Sequence, residues 1–244
     1  MFLKAAINGG RTRAEAPTVP LTPEEIATDA SRAVALGAAV VHAHARTADG
    51  GQTIHPDDIA AMVRAVRAAD PSVIIGTTTG LWTCAGHDER MRHVSGWPDG
   101  ALPDFASVAF SEEGAAEAAQ LLVSRGIVLE SAVWSMADVP NLLSSPTLHQ
   151  NVRILIEPET EDADGAVSEC REIVEVLRDA GVTCSILYHG HDTTAWPVLS
   201  AAVEDGAEAR IGFEDVTHGF AGEAADNAAM IVEALAIARA HATR

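Results

Sequence analysis

His42 and His44 close an apolar run, Val40–Val41, with only the small Ala43 between them. Side chains two apart on a β-strand project from one face, so both imidazoles share a side of the chain. Paired neutral imidazoles suit first-row divalent ions, and a carboxylate commonly completes such a set. The plain alternative is two histidines satisfied by hydrogen bonds at a polar strand end. Glu214 offers the carboxylate, four residues after Arg210, and a regular strand aims those two toward the same side. Two histidines, one carboxylate and an open position make the layout of a catalytic rather than a structural zinc site. His189 and His191 repeat the spacing and are rival ligands.

Short apolar runs alternate with helical patterns along the whole chain, and these must position the polar groups. Strands are expected at Leu3–Asn8, around His42, at Val73–Thr78, Phe105–Val108, Val128–Val133, Val152–Ile156, Thr183–Tyr188 and Glu208–Phe213. The first helix opens at Thr22–Pro23–Glu24–Glu25, where a cap, a first-turn proline and two acids suit a helix N-terminus, and it stops at Gly37. Further helices are expected over Pro56–Ala69, Glu112–Ser124, Met136–Leu143, Asp164–Ala180, Ala195–Glu204 and Ala221–Ala240, with Leu81–Leu102 a long loop holding at most one helical turn.

Eight strand–helix units in 244 residues without a linker-like stretch predict one (β/α)₈ TIM barrel over 1–244. An open doubly wound sheet is the runner-up, but Asn8–Gly9–Gly10–Arg11 makes no GxGxxG fingerprint. In a barrel the active site lies at the C-terminal strand ends. That rule gathers His42 and His44, Thr77–Thr79, Glu130, Glu157, His189 and His191, and Arg210, Glu214 and Asp215. Each has a plain reading too: the threonines as β-branched strand residues, Arg210 with Asp215 as a strand-end salt bridge.

Composition narrows the function classes. A formal net charge of -19 argues against nucleic acid and anionic membranes as partners. No apolar run is long enough to span a bilayer, and the N-terminus lacks a signal-peptide layout. Cys84, Cys170 and Cys184 are odd in number and form no CxxC, so a reducing cytoplasm is expected.

VVHAHAR behind the TPEEIA helix, TTTG at the third strand end and RIGFED near the C-terminus resemble the β-keto acid cleavage enzyme family, whose founding activity is 3-keto-5-aminohexanoate cleavage. The motifs keep their order over nearly the whole chain, and AADNAAMIVEALAIA is similar to the family's last helix. The resemblance implies a (β/α)₈ barrel with one zinc ion, usually in homo-oligomers. It implies transfer of carbon units between a β-keto acid and acetyl-CoA, giving acetoacetate and a new CoA thioester. Zinc then falls to His42, His44 and Glu214, the general base to Asp215 seated by Arg210, and the substrate carboxylate to Thr78.

The chain also departs from the pattern. Gly9–Gly10–Arg11 stands where the family has an acidic substrate-reading turn, so Arg11 is expected to favour acidic or neutral keto acids. Glu130 is kept as a substrate-side acid, but the family's second acid on that strand is Ala132 here. A Gly-rich, Arg-bearing segment on the CoA side is replaced by His189–Gly190–His191–Asp192. Two other functions therefore stay open: another metal-dependent barrel aldolase or hydrolase acting on a small carboxylic acid, and a non-catalytic carboxylate binder.

Overall fold

The computed structural model describes residues 1–223 and 225–242. Its strands are β1 (Leu3–Ala6), β2 (Val40–His42), β3 (Ile75–Thr78), β4 (Phe105–Ala109), β5 (Val128–Val133), β6 (Asn151–Ile156), β7 (Ser185–Tyr188) and β8 (Glu208–Ile211). They pair in parallel in chain order, and β1 also pairs with β8, Lys4 opposite Arg210, which closes the sheet. This is the expected (β/α)₈ barrel, not the open sheet. Strands covered on both faces are mostly apolar or small, and β1 (LKAA) is buried along its whole length, with Lys4 paired to Glu130 inside the barrel.

The helices are α1 (Pro23–Leu36), α2 (Pro56–Ala69), α3 (His87–Gly96), α4 (Ala115–Ser124), α5 (Val139–Leu143), α6 (Ala163–Asp179), α7 (Ala195–Asp205) and α8 (Asn227–Ala242). The start of α1 follows the sequence expectation: the Thr22 side chain accepts from Glu25 N, and Glu25 reaches back to Thr22 N. Among the described residues no helix is long and apolar enough to cross a membrane.

Three expectations need correction. The stretch Leu81–Leu102 is not one loop, because it contains the whole of α3. Its sequence, HDERMRHVSG, has no apolar stripe; the buried Arg90 anchors it by an ion pair to Glu112 at 2.7 Å. The closing helix starts at Asn227, later than Ala221, and Ala224 lies outside the described residues. Strand β8 ends at Ile211 rather than Phe213, because the chain turns at Gly212.

That turn matters for the site. Gly212 has φ +155°, and a Cβ there would lie 2.1 Å from the Ala6 carbonyl oxygen, so only glycine fits. Asp215 and Val216 then donate their backbone N–H groups to Gly212 O, and the side chains of Arg210, Glu214 and Asp215 converge.

Candidate active site

Three ligand-type side chains meet at the C-terminal mouth. His42 Nε2 and His44 Nε2 lie 3.0 Å apart. Glu214 Oε2 is 3.6 Å from His42 Nε2, and Glu214 Oε1 is 3.6 Å from His44 Nε2. Arg210 Nη2 holds Glu214 Oε1 at 2.9 Å, which leaves the buried Oε2 without a hydrogen-bond partner. The His44 Nδ1 contacts Gln52 Oε1 at 2.5 Å, which fixes the proton on Nδ1 and frees Nε2 as a lone-pair donor. Burial pushes the His42 pKa well below its ordinary value and the His44 pKa below its own, with the Glu214 charge offsetting only part. Burial alone would raise Glu214, but Arg210, and after it His42 and His44, hold it well below the carboxylate range. Two neutral imidazoles and an ionised carboxylate facing one another, with one oxygen orphaned, fit a first-row divalent cation.

Asp215 sits beside this set, almost wholly buried. Arg210 clamps it, Nη2 to Oδ1 at 2.7 Å and Nε to both oxygens at 3.1 and 3.2 Å. Burial opposes its ionisation, but Arg210 and then His189 outweigh that, so its pKa is lowered. The convergence does not come from a regular strand carrying Arg210 and Glu214 on one face. It comes from the turn after β8.

His189 occupies the far wall. Its Nε2 is 3.0 Å from Asp215 Oδ1 and its Nδ1 is 3.0 Å from Glu157 Oε1. Burial and Arg210 would lower the His189 pKa, but Glu157 and Asp215 prevail and raise it. Burial likewise opposes Glu157, yet the His189 charge and contact bring it down to about 2. His191, at the rim, is lowered to about 4, first by the charge of His189 and then by burial.

The structure brings Thr78 to the same mouth. It lines a small inner cavity of about 40 Å³ with His42, His44, Ser107, Ala132, Trp134, Arg210 and Glu214. Its Oγ1 accepts from Gly80 N at 3.0 Å.

Two other expected residues have their charged ends engaged by the protein itself. Glu130 is fully buried one pleat below Ala132, paired with Lys4 at 2.5 Å and with Arg153. Both its oxygens are engaged, so it braces the barrel interior instead of reading a ligand. Arg11 is not a free guanidinium in the mouth either. It binds the Phe213 carbonyl at 3.1 Å and pairs with Asp192, tying the loops after β1 and β7 together.

Sequence reasoning passed over Gln52, Trp82 and Trp134. The Trp82 Nε1 donates to Gln52 Oε1 at 3.2 Å, and the Trp82 and Trp134 rings lie 6.2 Å apart. Only the placement of both tryptophans in or beside loops following strands hinted at it. All three line an outer cavity of about 430 Å³ that also reaches His44, Glu157, His189, His191 and Glu214. That size suits a small-molecule ligand. A larger cleft, about 540 Å³, lies at the opposite end beneath Ser185 and Glu208, the face where barrels carry stability rather than chemistry.

Barrels of this type react substrates at the C-terminal mouth, and here that mouth gathers the ionisable groups, so the chain is a (β/α)₈ barrel enzyme. It belongs to the beta-keto acid cleavage enzyme family, whose model matches residues 1–244. It is 26% identical over 232 residues to the 3-keto-5-aminohexanoate cleavage enzyme of Acetoanaerobium sticklandii, covering 88% of this chain and 82% of that protein. It is 24% identical over 276 residues to the 3-dehydrocarnitine:acetyl-CoA trimethylamine transferase of Rhizobium meliloti, covering 97% and 90%. Among solved structures, apo ObcA superposes with a TM-score of 0.74 at 20% identity, covering 90% of this chain and 61% of that one. The ternary complex of ObcA with a C4-CoA adduct and oxalate gives 0.73 at 21% identity, covering 90% and 63%. At such identity the likeness is one of fold, and this chain spans under two thirds of the length of ObcA.

Proposed function

We propose that the chain exchanges acyl groups between a β-keto acid and acetyl-CoA, releasing acetoacetate and a new acyl-CoA thioester. Atoms balance: the carboxymethyl unit leaves the keto acid for the acetyl group, and the CoA thiol takes the acyl group left behind. The observation that carries this reading is the convergence of Arg210, Asp215 and Glu214 on His42 and His44.

Asp215 is the general base, taking a proton from the carbon between the keto and carboxylate groups. Arg210 keeps it ionised and aimed, at the cost of basicity. His42, His44 and Glu214 would hold a single zinc ion, which supplies Lewis-acid polarisation of the keto oxygen when bound. Thr78, whose oxygen already accepts from Gly80 N, has its hydroxyl hydrogen to offer the substrate carboxylate. The outer cavity, lined by Trp82 and Trp134, admits the thioester end.

This reading carries with it a homo-oligomer and a cytoplasmic setting. The exposed Phe220 and Val232 support the first, and three free cysteines the second.

The test is a panel of β-keto acids incubated with acetyl-CoA, following both acetoacetate and the new thioester. Consumption of keto acid without thioester formation moves the chain to the aldolase or hydrolase reading. Ligand binding without turnover moves it to a carboxylate binder.

A further inference from the structure

The wall opposite His42 and His44 carries its own set of ligand-type groups. Glu157 follows β6, and His189 and His191 follow β7. One donor atom from each lies within 4.8 Å of the others. We propose that Glu157, His189 and His191 form a second divalent-metal site, for a borderline ion such as zinc, beside the one at His42, His44 and Glu214.

The surroundings orient these groups as ligands. Trp134 Nε1 donates to Glu157 Oε2 at 3.0 Å, so Oε1 is turned toward His189 Nδ1, also at 3.0 Å. On the other edge of that ring, Asp215 Oδ1 stands 3.0 Å from Nε2. A ligating histidine characteristically gives its second nitrogen to a carboxylate, and Asp215 supplies one. His189 is buried, yet neither ring nitrogen makes an aligned hydrogen bond despite the near carboxylates. On the Nδ1 edge this leaves the ring nitrogen and Glu157 Oε1 close but not aimed at each other, as two ligands of one ion are.

The backbone is shaped for the same purpose. A Cβ on Gly190 would meet Thr194 O at 2.4 Å and Ala195 Cα at 2.9 Å, so the turn packs directly on the start of α7. Thr194 Oγ1 accepts from His191 N and donates to His191 O, both at 2.9 Å. The two imidazoles end with their centroids 4.0 Å apart. Both proposed sites open into the same outer cavity, so an ion reaches either by one route. Charge points the same way. Glu157, Glu159 and Glu214 line the mouth with Asp215 beside them, against one arginine, Arg210; one divalent ion leaves that surplus negative, and a second makes the mouth positive, as an anionic keto acid requires.

The test is metal stoichiometry, which does not depend on the reaction proposed above. Untagged protein is stripped with a chelator, dialysed against zinc alone and analysed for bound ion per chain. Wild type should hold about two ions, and His191→Ala, Glu157→Gln and His42→Ala about one each, as independent three-ligand sites predict. His191→Ala is the safest variant, because its ring lies at the rim, and circular dichroism confirms its fold. Cobalt substitution adds a visible-absorption readout, with one of two band sets lost in each variant. Wild type saturating at about one ion that His191→Ala keeps and His42→Ala loses overturns the second site and leaves His189 a protonated bridge between carboxylates. An ion lost in His191→Ala but kept in His42→Ala upholds this site and overturns the first.

Discussion

The guanidinium of Arg210 grips Asp215 through two nitrogens, the shortest contact 2.7 Å, while the same Nη2 holds Glu214 at 2.9 Å. One buried cation therefore sets the position of both the proposed base and the proposed ligand. Asp215→Asn should keep the fold and the metal content and lose on the order of a hundredfold or more in turnover, with KM little changed. Steady-state kinetics beside metal analysis checks this. Turnover within a few-fold of wild type would return Asp215 to a structural ion pair.

Gln52 fixes the tautomer of His44 without touching the proposed ion. Gln52→Ala should weaken zinc binding by about 10–100-fold, as loss of an orienting partner does. Competition with a chromogenic chelator measures it. An unchanged affinity means that His44 is oriented by its backbone alone.

Glu130 ties Lys4 and Arg153 together inside the barrel with no exposure to solvent. Burial lowers the Lys4 pKa, and Glu130 is the nearest group opposing that. Glu130→Ala leaves the buried Lys4 without its carboxylate and Arg153 with Glu208 alone, and should cost about 3–5 kcal/mol in urea unfolding. If stability holds and KM for the keto acid rises instead, Glu130 reads substrate after all.

The α1 capping box gives a pH prediction away from any metal. Backbone N–H groups of Thr22 and Leu21, with help from Arg13, bring the Glu25 pKa from 4.5 down to about 2. A carboxylate depressed on folding stabilises above its unfolded pKa and loses that contribution as pH falls through its folded one. Glu25→Gln should thus lower Tm at neutral pH, and its gap from wild type should narrow from about pH 4.5 toward pH 2. Thermal melts across that window decide it; a constant gap assigns the loss to hydrogen bonding rather than charge.

Much of this was legible because it is local. Period-two spacing put His42 and His44 on one side, and alternating patterns with caps such as Thr22 gave the barrel. Arg210, Glu214 and Asp215 were legible as residue types, and so was the need for a turn at the end of the eighth strand, since a strand continuing through Asp215 sends Glu214 and Asp215 to opposite faces; that Gly212 makes the turn was not. The turn at Gly212 depends on the Ala6 carbonyl, contributed by the first strand. Arg11 and Glu130 misled for a related reason. Their partners, Asp192 and Lys4, are distant in sequence, and neither periodicity nor composition announces such a pairing. With Arg11 engaged, the expected preference for acidic or neutral keto acids loses its basis. Helix α3 was missed because polar anchoring by Arg90 leaves no apolar stripe to read.

The pairing of β1 with β8 has a consequence for how the molecule is made. His42 and His44 emerge early in synthesis, whereas Arg210, Glu214 and Asp215 arrive only with the final strand. Until β8 docks against β1, the histidines have no carboxylate partner and the interior carries an open edge. Closing that edge completes the proposed ligand set, so an ion held there would tie an early-made strand to a late-made one. Metal uptake thereby becomes a report on whether the ring has shut.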